Sequence, residues 1–352
     1  MRTTDAYKNL TLETSHELED LVWFDIAETE AFRIFGAAET APYRRLPTPL
    51  AEQLRQELQD LSWHTSGIRA RFFTDSPYIA LHIQWDDDYM RQVVWHGMRG
   101  LDLFSIHDGK QALESVFRPP LESKPTQEYQ YKTFGDLREY QLNLPLYNKV
   151  FKLCVGMKKG SVLERGGSYH NEKPVVFYGS SITQGAFACR PGNSYQNVLS
   201  RALDMDYVNL GFSGNCKADP VLVDYMATLP MSCFVCDYDH NAPDADYLEA
   251  THYDVYRRIR EKNPELPFIM ISKPDYKPNQ GRRRAIIMES YQKALAAGDT
   301  NVYFIDGAAF FSGIEREACT MDGVHPNDLG LYQMAQGMVH ILRRILYGGG
   351  IY

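Results

Sequence analysis

Residues 175–195 read VVFYGSSITQGAFACRPGNSY. An apolar run closes at Gly179 and two serines follow, then a polar turn. A short run that is apolar at successive positions reads as a strand buried on both faces. Two small hydroxyl side chains where such a strand stops serve either as turn and capping chemistry or as a nucleophile. The rest of the chain has to separate the two.

The same strand-then-turn pattern recurs downstream. PVVFYG (174–179), YVNLG (207–211), SCFVCDYD (232–239), PFIMIS (267–272) and NVYFIDG (301–307) are apolar runs closed by polar residues or Gly. Helical spacing fills 194–204, 219–229, 244–262, 281–298 and 327–346. That alternation predicts a parallel sheet covered by helices on both faces, a flavodoxin-like three-layer α/β/α domain with five strands over 172–352. Ligands of such sheets bind beyond the carboxyl ends of the strands, the end at which the serines fall.

The first half has another rhythm. LVWFDI (21–26), FRIFG (32–36), IRARFFTD (68–75), YIALHIQWD (78–86), RQVVWHG (91–97), 101–117 and 149–166 are rich in β-branched and aromatic residues. Asp108-Gly109 supplies a hairpin turn. One amphipathic helix near 47–61 interrupts them. This predicts an antiparallel, jelly-roll-like β-sandwich over 1–165, with 161–174 as the hinge.

At 352 residues, two domains are the prior expectation. Acidic residues outnumber basic ones, 45 to 37, and no Lys/Arg block stands out, which argues against nucleic acid as a partner. No apolar run approaches the about 18 residues of a membrane span. MRTTDAYKNLTLETS lacks the apolar core of a signal peptide, so a cytoplasmic protein is expected, with a trimmed secreted form as the alternative. The six cysteines show no disulfide rhythm. Cys233 and Cys236 lie three apart on a predicted strand, on opposite faces, which disfavours a shared metal.

Four fragments fall at the same edge of the predicted sheet: Gly179-Ser180-Ser181, Gly214 in GFSGN, Asn241 in DYDHNAP, and Asp322 with His325 in DGVHPND. Acyl transfer needs a nucleophile, a base, an orienter for the base and donors for an oxyanion. A serine of the first loop, His325, Asp322, and Gly214 with Asn241 meet these needs in turn. Each fragment alone also reads as plain turn or cap chemistry. Their order along one sheet edge is what raises the chemical reading.

The constellation resembles the SGNH subgroup of the GDSL hydrolases. GSSITQG stands where that family often has GDS, so the resemblance selects Ser181 as the nucleophile and leaves Ser180 to support the loop. Gly214 and Asn241, with the Ser181 N–H, match the family's oxyanion donors, and Asp322 and His325 match its DxxH. DYDHNAP departs from the usual GxND. A bacterial branch of the family carries a β-sandwich with a GxDLY stretch ahead of the hydrolase domain. Gly100-Leu101-Asp102-Leu103-Phe104 is similar, with Phe in the last place. The resemblance implies a carbohydrate O-acetylesterase that needs no cofactor or metal and acts on acetylated oligosaccharides from xylan or mannan.

Trp95, His96, Arg190 and His240 are the candidate substrate-binding residues. Asp237 and Asp239 are read as holding their loop, and Arg282-Arg283-Arg284 as solvating a helix start. The acidic turn at 86–88 is read as solvated rather than calcium-binding. A homodimer is the oligomer considered. The alternatives are a lipase or thioesterase of longer acyl esters, a non-catalytic carbohydrate-binding protein, and a phosphate-binding turn, the last weakened by the lack of a P-loop lysine.

Overall fold

The computed structural model describes residues 1–86, 94–120, 122, 124–274 and 281–348. The chain divides into two compact units. One comprises 1–47, 63–169 and 190–192, the other 48–62, 170–189 and 193–352.

The second unit is built on five parallel strands. Their order is Met205–Gly211, Asn171–Gly179, Cys233–Asp237, Phe268–Ile271 and Val302–Ile305. In chain order this is 2-1-3-4-5, the flavodoxin-like arrangement. Val175, Val176, Phe177 and Tyr178 are all fully buried, and so are Cys233 through Cys236. Burial on both faces is what makes these strands apolar at every position, and each such large side chain contributes roughly 1.5–3 kcal/mol. The helices pack in two groups. Tyr195–Leu203 lies against Asp328–Tyr347, while Ala245–Lys262 touches both Pro220–Met226 and Gly281–Ala296. Asp244 caps the longest of the second group by accepting from Tyr247 N–H at 2.8 Å. Cys233 and Cys236 sit in a strand, as their apolar run implies, and it is the central one of the sheet.

The first unit is an antiparallel sandwich. One sheet runs Leu21–Asp25, Val150–Lys158, Tyr78–Trp85, Thr126–Lys132. The other runs Leu163–Arg165, Arg69–Thr74, Arg138–Asn143, Leu101–His107, Lys110–Phe117, with Arg33–Phe35 added beside Arg69–Thr74. Phe24, Leu81, Ile83 and Val155 of the first sheet share one core with Phe72, Leu103, Tyr140 and Leu142 of the second. The hairpin turns at Asp108-Gly109.

Three expectations for this half change. Thr126–Lys132 and Arg138–Asn143 are strands that the apolar pattern did not mark. Of the expected strand at 91–97, Trp95–Arg99 is a helix and 91–93 lie outside the described residues, as do 87 and 88 of the acidic turn. The helix expected at 47–61 is two pieces, Thr48–Ala51 and Gln56–Ser62, and both belong to the second unit. No helix among the described residues is long and apolar enough to cross a membrane.

Candidate active site

Ser181 opens a single helical turn, Ser181–Gln184, directly after the Asn171–Gly179 strand. Ser180 caps that turn, its hydroxyl accepting from Ile182 N–H at 3.2 Å. The turn presses closely on the neighbouring strand end: a Cβ on Gly211 would lie 2.2 Å from Gln184 N. Only glycine fits there. Buried polar groups fix the turn from below. The Thr183 carbonyl accepts from Gln196 Nε2 and Asn209 Nδ2, both at 2.7 Å, and the Thr183 hydroxyl donates to Asp237 Oδ2 at 2.8 Å. Ser181 itself is 8 % exposed.

Ser181 Oγ lies 2.9 Å from His325 Nε2. On the far side of the ring, His325 Nδ1 is 2.8 Å from Asp322 Oδ2. Asp322 also accepts from the backbone N–H groups of His325 at 2.7 Å and Val324 at 3.0 Å. Burial opposes the Asp322 charge, but these hydrogen bonds and the imidazole outweigh it and hold the carboxyl at about 2. Asp322 therefore stays ionised, and with His325 Nδ1–H bound to it, Nε2 is the nitrogen that faces the serine. Met321 N–H donates to the His325 carbonyl at 2.9 Å, closing the loop that carries both residues. Asn327 caps the following helix through Gly330 N–H. The capping reading of His-Pro-Asn thus belongs to Asn327.

Gly214 is the third residue of a β-turn from Phe212 to Asn215, closed by Asn215 N–H to the Phe212 carbonyl at 2.9 Å. Its φ of 68° is the left-handed value that the third position of a type II turn demands. Among the described residues, the Gly214 N–H has no protein acceptor. Asn241 accepts from Cys216 N–H through Oδ1 at 3.3 Å, which ties the two loops together. A hydroxyl in line with an imidazole and a carboxylate, beside loops carrying backbone and amide N–H donors, is equipped for acyl transfer to and from oxygen.

The remaining candidates are placed as follows. His240 adjoins Asn241, and burial pushes its imidazole well below the ordinary range, with Lys273, His325 and Arg283 adding to the effect. Asp239 accepts from Lys273 N–H at 3.2 Å and from Arg283. Trp95, His96 and Arg190 fall in the first unit. Trp95 Nε1 donates to the Pro119 carbonyl at 3.0 Å. Arg190 donates to Asp102 Oδ2 at 3.0 Å, and the same oxygen accepts from Gly192 N–H at 2.7 Å.

Arg282 and Arg284 are exposed at the start of the Gly281–Ala296 helix, as expected of a solvated ladder, but Arg283 is not. Arg283 binds the carbonyls of Asp239 and Ala242, both at 2.8 Å, and so holds the Asn241 loop from two sides. Arg284 pairs with Asp306, and Arg282 with Asp246 and Glu249. Phe187, with φ of 63°, sets its ring 5.1 Å from the His325 ring. Among these contributors, Asn209 and Asp237 carried a sequence signal as polar residues in apolar strands. Arg283 and Phe187 carried none.

Residues 172–343 match the GDSL-like lipase/acylhydrolase family, and residues 21–163 match the N-terminus of the SGNH-hydrolase esterase type, GxDLY. Among solved structures, a chain from Bacteroides ovatus ATCC 8483 assigned as a GDSL-like lipase is 27% identical, with a TM-score of 0.84 over 93% of this chain and 98% of its own. The salicylyl-acyltransferase SsfX3 of a tetracycline biosynthetic pathway is 19% identical, with a TM-score of 0.76 over 94% and 100%. An acetyl xylan esterase, Est2A, from the rumen bacterium Butyrivibrio proteoclasticus is 14% identical, with a TM-score of 0.60 over 92% and 98%. No curated protein matches the chain.

Proposed function

The chain belongs to the GDSL-like lipase/acylhydrolase family, with the GxDLY N-terminal domain of SGNH esterases ahead of it, and from that premise we propose a serine esterase that removes O-acetyl groups from acetylated oligosaccharides. The observation that carries the reading is the unbroken contact from Ser181 Oγ through the His325 ring to Asp322. Ser181 attacks the acetyl carbonyl while His325 Nε2 takes its proton, and Asp322 supports the imidazolium that forms. The Ser181 and Gly214 N–H groups and the Asn241 amide receive the oxyanion. His325 then returns the proton to the sugar oxygen as the C–O bond breaks, leaving acetyl on Ser181. Water, deprotonated by the same imidazole, releases acetate and restores the hydroxyl.

The acetyl and sugar parts of the reading draw on the resemblance to carbohydrate esterases, among them the acetyl xylan esterase. NMR of acetylated xylo- and manno-oligosaccharides before and after incubation tests them. Loss of acetyl signals at defined ring positions is expected. A series of p-nitrophenyl esters separates the rival: octanoate hydrolysed in preference to acetate would replace this reading by a long-chain esterase.

A further inference from the structure

Arg55 lies between the two short helices that interrupt the sandwich sequence, yet every partner of its guanidinium but one, Glu57, is in the loop carrying Gly214. Nε and Nη2 grip both oxygens of Asp219, at 2.7 and 3.1 Å. Nη1 donates to Asn215 Oδ1 at 3.0 Å, and Nη2 reaches the Asn215 carbonyl at 3.2 Å. The other end of the same Asn215 amide, Nδ2, donates to the Ser213 carbonyl at 3.0 Å.

The Ser213 carbonyl and the Gly214 N–H belong to one planar trans peptide, so fixing one fixes the direction of the other. That peptide is the central one of the Phe212–Asn215 turn. Type I and type II turns differ by the flip of this central peptide, and the φ of 68° at Gly214 marks type II. The flipped form costs little for glycine, so the sequence alone leaves both directions open. The contact that distinguishes them is the Asn215 amide on the Ser213 oxygen, and Arg55 holds that amide by its oxygen.

The geometry points to Arg55 as a positioning residue for the esterase reaction: through Asn215 it sets the peptide flip that aims the Gly214 N–H at the oxyanion. This rests on the reading of Gly214 as an oxyanion donor. Arg55 touches no reacting atom, and its ion pair with Asp219 is partly exposed, a class of contact that adds little to stability. Its removal therefore acts on turnover more than on folding, because a donor misplaced by about 1 Å costs on the order of 100-fold.

The test is steady-state hydrolysis of p-nitrophenyl acetate by Arg55→Met, Asn215→Ala, the double variant and Ser181→Ala, with melting temperatures for each. Arg55→Met keeps much of the side-chain volume, and Asn215→Ala carries the test if that variant fails to fold. The inference expects kcat to fall about 10- to 100-fold in either single variant, with KM within about threefold and the fold retained. The double variant is expected to be no slower than the worse single one, because both remove the same orientation. Wild-type kcat in Arg55→Met beside an inactive Ser181→Ala overturns the inference and leaves the esterase reading intact. Losses that add in the double variant and follow the melting temperature overturn it in favour of a purely structural ion pair. Full activity in Ser181→Ala removes the reading on which it rests.

Discussion

Asn241 binds Cys216 N–H through its side-chain oxygen, so the nitrogen end of that amide is the part left to meet a reacting carbonyl. Replacing it by alanine removes one of the proposed oxyanion donors, a change generally worth about 3–4 kcal/mol of barrier. Asn241→Ala is therefore expected to lower kcat by roughly 100- to 1000-fold with little change in KM, read from steady-state hydrolysis of an acetyl ester. A KM effect with kcat preserved would move Asn241 to ground-state binding. Gly214, Asn241, Asp322 and His325 could be proposed from the sequence because each stands at a break in apolar pattern at one sheet edge, while the choice of Ser181 over Ser180 came from the resemblance. Arg55, Arg283 and Phe187 could not. Their contributions are contacts with segments far away in the chain, and an arginine near a helix end reads as surface until its partners are seen.

At the scale of elements, the Cys233–Asp237 strand ends in a buried acid that takes no part in the proposed chemistry. Burial pushes the Asp237 carboxyl up to about 7, further than the hydrogen bonds with Thr183 and Tyr195 lower it, and Asp239 adds to the rise. In the unfolded chain the group titrates near 4. Between these values the native state holds a proton that the unfolded state has lost, so this residue makes the protein less stable as pH climbs from about 4 to about 7. Asp237→Asn has no such titration. Melting temperatures across that window should show the wild type losing ground to the variant as pH rises, whereas parallel curves would mean the native carboxyl is not held protonated.

The strands themselves were legible to unequal degrees. Phe177, Val235 and Ile269 lie in strands buried on both faces, so hydropathy alone marks them. Arg138–Asn143 escapes that test because one of its faces is buried yet polar. Gln141 accepts from Arg71 Nε and Tyr169 Oη and donates to Asn143, which donates to Asp102. Arg71, Gln141, Asn143 and Asp102 are each at most 2 % exposed. A buried hydrogen-bonded network looks like a solvated surface in a sequence. The same network explains the aspartate of the GLDLF stretch, whose carboxylate also receives Arg190 and Gly192.

At the scale of the whole molecule, the chain divides near residue 169, and the units also exchange segments. Residues 48–62 join the second unit and 190–192 the first. Ala51, Leu58 and Leu61 show that the inserted helices bury a face, and nothing in their spacing says against which unit. The insertion brings Arg55 to the Gly214 loop, so a piece of chain from within the sandwich sequence serves the hydrolase unit. For the molecule as a catalyst, the central claim is that each turnover passes through an acetyl group on Ser181. Rapid-quench mass spectrometry of the enzyme mixed with an acetyl ester tests this most directly. One acetyl group is predicted on the peptide carrying Ser181, with no adduct and no turnover in Ser181→Ala. Acetyl found on another residue, or turnover by Ser181→Ala at the wild-type rate, would contradict the account.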